Sequence, residues 1–291
     1  MSAHRRAALA ALAFLAAAWL LGLGDMLPSS NRWFLVLLAP ALVYRRGRLY
    51  MRDFVPLALA VLAYEWLRTL AHRINPDPFY RPQIDVDEVI GLGRLPSVRL
   101  QGWLYDGAPG LFEDSLAKVH SWHVAVVLGA LFLLWLDSRR EYLRAAAAAL
   151  GSAFAAAIGF AIYPAAPPWL AGCRGLIGPI ERIREHGDQC PAALKDPSLV
   201  TRLFDDNPVA AIPSLHGAWS TLAALIIWRW RRRLWPIGVA YALVQQFAVV
   251  YLGEHYIVDL IIGDALALGM WWLSGRLFPV QRAETMRESI S

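Results

Sequence analysis

Apolar residues along this 291-residue chain gather into eight blocks, at about 7–24, 28–44, 54–71, 118–136, 143–163, 214–228, 235–251 and 256–277. Most approach the ~20 residues that a bilayer core demands at 1.5 Å rise per residue. The pattern predicts an all-α, polytopic transmembrane bundle of about eight helices, with no internal repeat and one domain over residues 1–291. Block two is short and holds Pro40, so blocks one and two also read as a tight or re-entrant hairpin. Block one follows Arg5 and Arg6 as a signal peptide would. No small-residue cleavage site stands near Gly24, and a retained anchor is the preferred reading.

Charge supplies the sidedness. Basic residues accumulate in connections that stay in the cytoplasm. Arg45, Arg46, Arg48 and Arg52 follow block two, Arg139, Arg140 and Arg144 follow block four, and Arg229, Arg231, Arg232 and Arg233 follow block six. Arg276, Arg282 and Arg287 close the chain, so both termini are expected inside. The composition agrees: 57% hydrophobic and 18% charged, against about 25% charge in soluble domains. The formal charge of +5 does not indicate nucleic acid, because the arginines lie between apolar blocks and not on one amphipathic face. Only Lys118 and Lys195 among the 28 basic residues are lysines, a bias that hints at a high-GC bacterial genome.

Two long connections, about 72–117 and 164–213, then fall outside. The first carries Pro76, Pro78, Pro82, Pro96 and Pro109. Its stretch from Pro96 to Tyr105 reads as a short interfacial helix forming a lid or rim, or as part of an irregular solvated loop. The second holds the only two cysteines, Cys173 and Cys190. A disulfide between them is expected, closing a loop of about 18 residues worth about 3 kcal/mol.

Topology brings three outer segments together: Tyr163 to Trp169, Ala211 to Ala218 and Gly253 to Asp259. His255 and Asp259 are four apart and share a helix face. The carboxylate would fix the imidazole tautomer and leave the other ring nitrogen as base or nucleophile. Ionisable residues at a membrane helix end are costly unless they line a wet cavity, which makes function the default reading. Ser214 is a natural N-cap after Pro213, opening an anion site at the helix start, and His216 sits in the first turn. Capping or structurally satisfied histidines compete with this reading. So does a zinc site on His216, His255 and Asp259, although the chain lacks the close-spaced His pair of catalytic zinc.

Pro-Ser-Leu-His at a helix start, followed about forty residues later by His-Tyr-x-x-Asp, resembles the type 2 phosphatidic acid phosphatase superfamily. The Tyr-Pro-x-x-Pro-Pro-Trp and His-Tyr-x-Val-Asp-Leu-Ile-x-Gly runs look more like its inositol phosphorylceramide synthase branch. The resemblance covers about residues 118–278 and implies a six-helix catalytic core. It also implies roles: His255 as nucleophile forming a phosphohistidine, Asp259 holding its ring, His216 as general acid and base, with no metal or cofactor.

The chain departs from the phosphatase pattern. That pattern has Lys-x6-Arg-Pro before the second element and Ser-Arg ahead of the nucleophile. Here Ala248 and Val249 stand seven and six before His255, and Tyr163 to Trp169 replaces the first motif. Arg81-Pro82 has no lysine seven before it. Since phosphoryl transfer rests on charge stabilisation, other groups must substitute. Arg68 is the first candidate, competing with a role as partner of Glu65 or as a side chain snorkelling to the interface, then Arg174 and Arg202; His120 and His123 read either as lining the same cavity or as packing and interfacial residues. Ser214, Tyr163 and Trp169 complete the expected substrate contacts.

A phosphodiester carries less charge than a monoester. The missing cations therefore favour a phosphotransferase that moves a phospho-head-group, such as inositol phosphate, from a phospholipid to a hydroxyl acceptor. The alternative is a lipid phosphate or polyprenyl pyrophosphate phosphatase using water. The expected partners are a phospholipid or isoprenoid-lipid phosphate and the bilayer, in a bacterial plasma membrane with the site on the extracytoplasmic face. Transport is disfavoured because polar residues cluster at helix ends rather than at mid-membrane.

Overall fold

Each apolar block lies on a helix in the computed structural model, which describes residues 3–22, 29–75, 77–183, 207 and 209–279. Among these, twelve α-helices follow one another: α1 Ala3–Gly22, α2 Ser29–Val43, α3 Gly47–Ile74, α4 Arg81–Ile90, α5 Pro96–Leu104 and α6 Leu111–Ser121, then α7 His123–Asp137, α8 Arg139–Ile162, α9 Pro168–Cys173, α10 Leu215–Trp230, α11 Trp235–Tyr251 and α12 Ile257–Leu277. Among the described residues, four segments are long and apolar enough to cross a membrane: Gly47–Ala71, Arg139–Ile162, Arg232–Tyr251 and Ile257–Leu277. Block four is broken at Trp122 into α6 and α7, which bend by 51° and make a fifth span if counted as one. The chain is thus an all-α, multi-pass membrane protein.

The short helix α10 is the centre of the bundle, touching α7, α8, α11 and α12, while α3 and α12 both pack on α8. Small side chains permit the close approach. Ala145, Ala148, Ala153 and Ala156 of α8 are fully buried, as expected where membrane helices associate through van der Waals contact rather than hydrophobic exclusion. Glycine is required where α10 crosses α12. A Cβ on Gly263 would lie 2.2 Å from the Ser214 carbonyl oxygen, and one on Gly217 3.2 Å from Leu260 Cα. This crossing sets the N-terminus of α10 against that of α12.

The first long connection, between α3 and α6, is largely helical rather than irregular, since α4 and α5 occupy it. The helix expected from Pro96 is present as α5, with Trp103 and Leu104 exposed. Helix α4 buries Gln83, Ile84 and Asp87, at 1%, 0% and 0% exposure, and leaves Val86, Val89 and Ile90 uncovered beside the exposed Arg81, Asp85 and Glu88. Isolated bridges from Ala165 to Phe79 and to Ala210 tie the two long connections to the approach to α10.

Candidate active site

Three helix ends meet at one place. Ser214 caps α10, its hydroxyl accepting from the Gly217 amide at 3.3 Å, while its own amide donates to the Asp259 carbonyl at 3.1 Å. Asp259 is the third residue of α12, and its Oδ2 accepts from the Tyr256 amide at 2.9 Å, half of a capping box. Through this bond the carboxylate is fixed before any histidine is considered. Asp259 is fully buried, and its Oδ1 has no hydrogen-bond partner among the described residues.

His255 Nδ1 lies 3.2 Å from Asp259 Oδ2, and His255 Nε2 lies 3.1 Å from His216 Nδ1. With Asp259 ionised, His255 Nδ1 carries the proton and donates to it, so Nε2 offers its lone pair. The contact with His216 then requires the His216 Nδ1–H to be the donor. The result is a directed chain from Asp259 through His255 to His216, in which the His255 lone pair receives the His216 proton directly, so an incoming phosphoryl group has to displace that contact.

Two more imidazoles complete the wall. The His120 ring stacks on His216 at 4.4 Å between centroids, and the His123 ring tilts against it at 4.3 Å. His123 Nδ1 donates to the His120 carbonyl at 2.8 Å. Both come from the α6–α7 break, so the bend at Trp122 is what carries them to His216.

The Tyr163 hydroxyl donates to Gln83 Oε1 at 2.9 Å, and its ring stacks on Phe79 at 4.6 Å. Trp169 is buried and its amide donates to the Gly253 carbonyl at 3.0 Å, which supports the loop before His255. Arg68 is half-buried beside Glu65, with a closest approach of 3.8 Å, and its carbonyl accepts from Asn207. Arg174 is exposed at the end of α9. Arg202 lies outside the described residues, as does Cys190, the expected partner of Cys173; Cys173 is disulfide-bonded.

Several supporting residues are invisible to sequence reasoning. Asp87 reaches from α4 to the start of α12, its two carboxylate oxygens accepting from the Ile257 and Val258 amides at 3.0 and 2.9 Å. Burial, aided by the nearby Asp259 charge, outweighs those two donors and pushes its carboxyl up to about 6. Arg182 pairs with Glu254 at 3.0 Å and lies over the Trp169 ring, bracing the residue before His255. Gln101 holds the same loop through the Tyr251 carbonyl at 2.8 Å. Among the described residues, no group of three or more His, Cys, Asp or Glu is arranged to hold a metal ion.

Comparison with known proteins places this arrangement. A family model described as the PAP2 superfamily matches residues 85–273. A phosphoinositol dihydroceramide synthase of Bacteroides thetaiotaomicron is 29% identical over 243 residues, 75% of this chain and 74% of that protein. The inositol phosphorylceramide synthase catalytic subunit AUR1 of Saccharomyces cerevisiae is 32% identical over 112 residues, covering 36% of this chain and 27% of its own. Its counterpart in Schizosaccharomyces pombe is 34% identical over 110 residues, covering 36% of this chain and 26% of its own. The chain thus spans about a quarter of the fungal proteins' length. No solved structure matches it.

Proposed function

Since the chain belongs to the PAP2 superfamily and is an enzyme of that class, we propose that it transfers a phospho-head-group from a phospholipid to a lipid hydroxyl through a phosphohistidine. The observation that carries this reading is the Asp259–His255–His216 chain, in which one imidazole is readied as nucleophile and the next as acid.

In the first half-reaction His255 Nε2 attacks phosphorus and the bond to the leaving lipid oxygen breaks. His216 delivers its proton to that oxygen, and Asp259 stabilises the cationic ring of the phosphohistidine. In the second, the acceptor hydroxyl attacks phosphorus, its proton passes to His216, and the P–N bond breaks. The phosphate rests at the α10 N-terminus capped by Ser214, where helix dipole and amides favour an anion. His120 and His123, stacked against His216, take the place of the missing clamp cations, with Arg68, Arg174 and Arg202 as the further candidates. Tyr163 and Trp169 shape the acceptor side. The relatives named for inositol phosphorylceramide and phosphoinositol dihydroceramide synthesis favour inositol phosphate as the transferred group and a ceramide-like acceptor. Eight spans with both termini inside set this site on the extracytoplasmic face of a bacterial plasma membrane.

The test uses purified protein in nanodiscs with labelled phosphatidylinositol or phosphatidic acid, with and without a lipid alcohol, beside a His255→Ala control. An acceptor-dependent phospholipid, absent from the control, is expected. Acceptor-independent release of free phosphate would instead establish a phosphatase.

A further inference from the structure

At the end of the bundle away from the histidines, guanidinium groups gather around one carboxylate. Helix α7 runs from His123 at the site to Asp137 at this end, and α8 begins here at Arg139. At 1.5 Å per residue, roughly 22 Å of α7 separates the two ends. Asp53 of α3, with its side chain 1% exposed, accepts from Arg52 Nε at 3.0 Å, from Arg139 Nη2 at 2.8 Å and from Trp135 Nε1 at 3.0 Å. Arg46 lies over the Trp135 ring, 5.7 Å from its centroid, and donates to the Leu136 carbonyl at 2.7 Å. A cavity of about 240 Å³ opens between these arginines, with Leu49 and Leu136 on its apolar wall.

The buried carboxylate orients this cavity without satisfying it. Each guanidinium has five N–H donors, and Arg52 and Arg139 each spend only Nε and one terminal nitrogen on Asp53. Both side chains remain about half exposed, at 53% and 50%. The second carboxylate of the lining, Asp137, is paired with Arg231 at 2.7 Å. The cavity also sits at the first turn of α8, whose dipole adds positive potential.

The turn that delivers Arg46 is itself strained. Arg45 sits at φ 58°, in the left-handed region that favours glycine at the end of a helix. The Arg46 and Arg45 amides close that turn onto the Ala41 and Leu42 carbonyls. A non-glycine residue is held in this conformation where the chain must turn back to set Arg46 on Trp135.

We propose that this cavity is a binding site for a phosphate-bearing anion, supplied either by the headgroup of an anionic lipid in the leaflet away from the active site or by free phosphate. Basic pockets between membrane helices recognise lipid headgroups in this way, and the Leu49–Leu136 wall gives an attached glycerol or acyl chain somewhere to lie.

Thermal melting of the full chain in phosphatidylcholine nanodiscs, with or without phosphatidylglycerol, tests it. A parallel series in phosphatidylcholine alone is titrated with inorganic phosphate. Arg46→Gln with Arg52→Gln removes two of the three cavity arginines and spares Arg139, which ties α8 to Asp53. Arg45→Asn with Arg48→Gln removes equal charge from the same face outside the cavity. Phosphatidylglycerol is expected to raise the melting temperature by at least about 3 °C in the parent and the outer pair, and to lose that effect in the cavity pair. Inorganic phosphate reproducing the shift identifies free phosphate as a sufficient ligand; its failure to do so identifies the lipid. No shift in the parent, an equal shift in all proteins, or an equal loss in both pairs overturns the proposal. If the cavity pair does not purify folded, Arg46→Gln alone is read against the same outcomes.

Discussion

His255 and His216 are close enough to divide one reaction between them, and their proton positions follow from the carboxylate at the end of the chain. The bonds that join them run between side chains, His255 to Asp259 and His255 to His216, so chemistry should fail before stability does. His255→Ala and His216→Ala are each expected to lower kcat by at least about 10²-fold, with melting temperatures within about 3 °C of the parent. Near-parental turnover in either variant, measured with the labelled-lipid assay, would remove that histidine from the relay. These residues were legible in the sequence because their geometry is local. A four-residue spacing places His255 over Asp259, and a proline–serine pair marks the helix start beside His216. What the sequence could not supply was the stacking of His120 and His123 on His216, which depends on a 51° break inside an apolar run.

Helix α4 carries the clearest lesson at the level of the element. Its Pro-rich surroundings read as a solvated loop, and Ile84 is buried while Val86, Val89 and Ile90 face outward, so no continuous core-facing stripe announces it. Its polar residues do the internal holding: Gln83 meets Tyr163, and Asp87 meets amides 170 residues further on. No spacing rule reaches that far. Asp87 anchors the first turn of the helix that presents Asp259, so Asp87→Asn should lower kcat by roughly tenfold, the scale of a displaced catalytic group, while KM changes little. Its pH behaviour has a definite sign. A carboxyl raised to about 6 favours the protonated folded state, so its stabilising share is whole below about pH 4 and fades as pH rises through 6. Melting of the parent relative to the non-titrating Asn variant should therefore be highest at pH 4 and decline by pH 7. A difference that stays constant across this range would show that Asp87 keeps an ordinary carboxylate titration.

For the whole molecule, the eight apolar blocks foretold helices at their positions, because that signal answers to the bilayer rather than to tertiary detail; the periodic placement of arginine further predicts that both termini lie on one side. Single cysteines placed at Ser2 and Ser291, in a background lacking Cys173 and Cys190, should react with an impermeant thiol reagent from the same side of sealed vesicles. Reaction from opposite sides would require an odd number of spans. The lengths of the helices carry a further consequence. Helix α10 has 16 residues and α7 has 15, so at 1.5 Å per residue both fall several ångströms short of a ~30 Å hydrocarbon core. Both begin at the histidines and end among tryptophans and charged residues at the other face: Trp228, Arg229 and Trp230 on α10, Trp135 and Asp137 on α7. With those ends anchored in one headgroup layer, the histidines lie below the opposite one, and the leaflet must dimple or a lipid phosphate must sink to reach them. Bilayer thickness thereby becomes a kinetic variable: turnover in phosphatidylcholines of increasing acyl length should be fastest in the thinnest membranes that still support the fold.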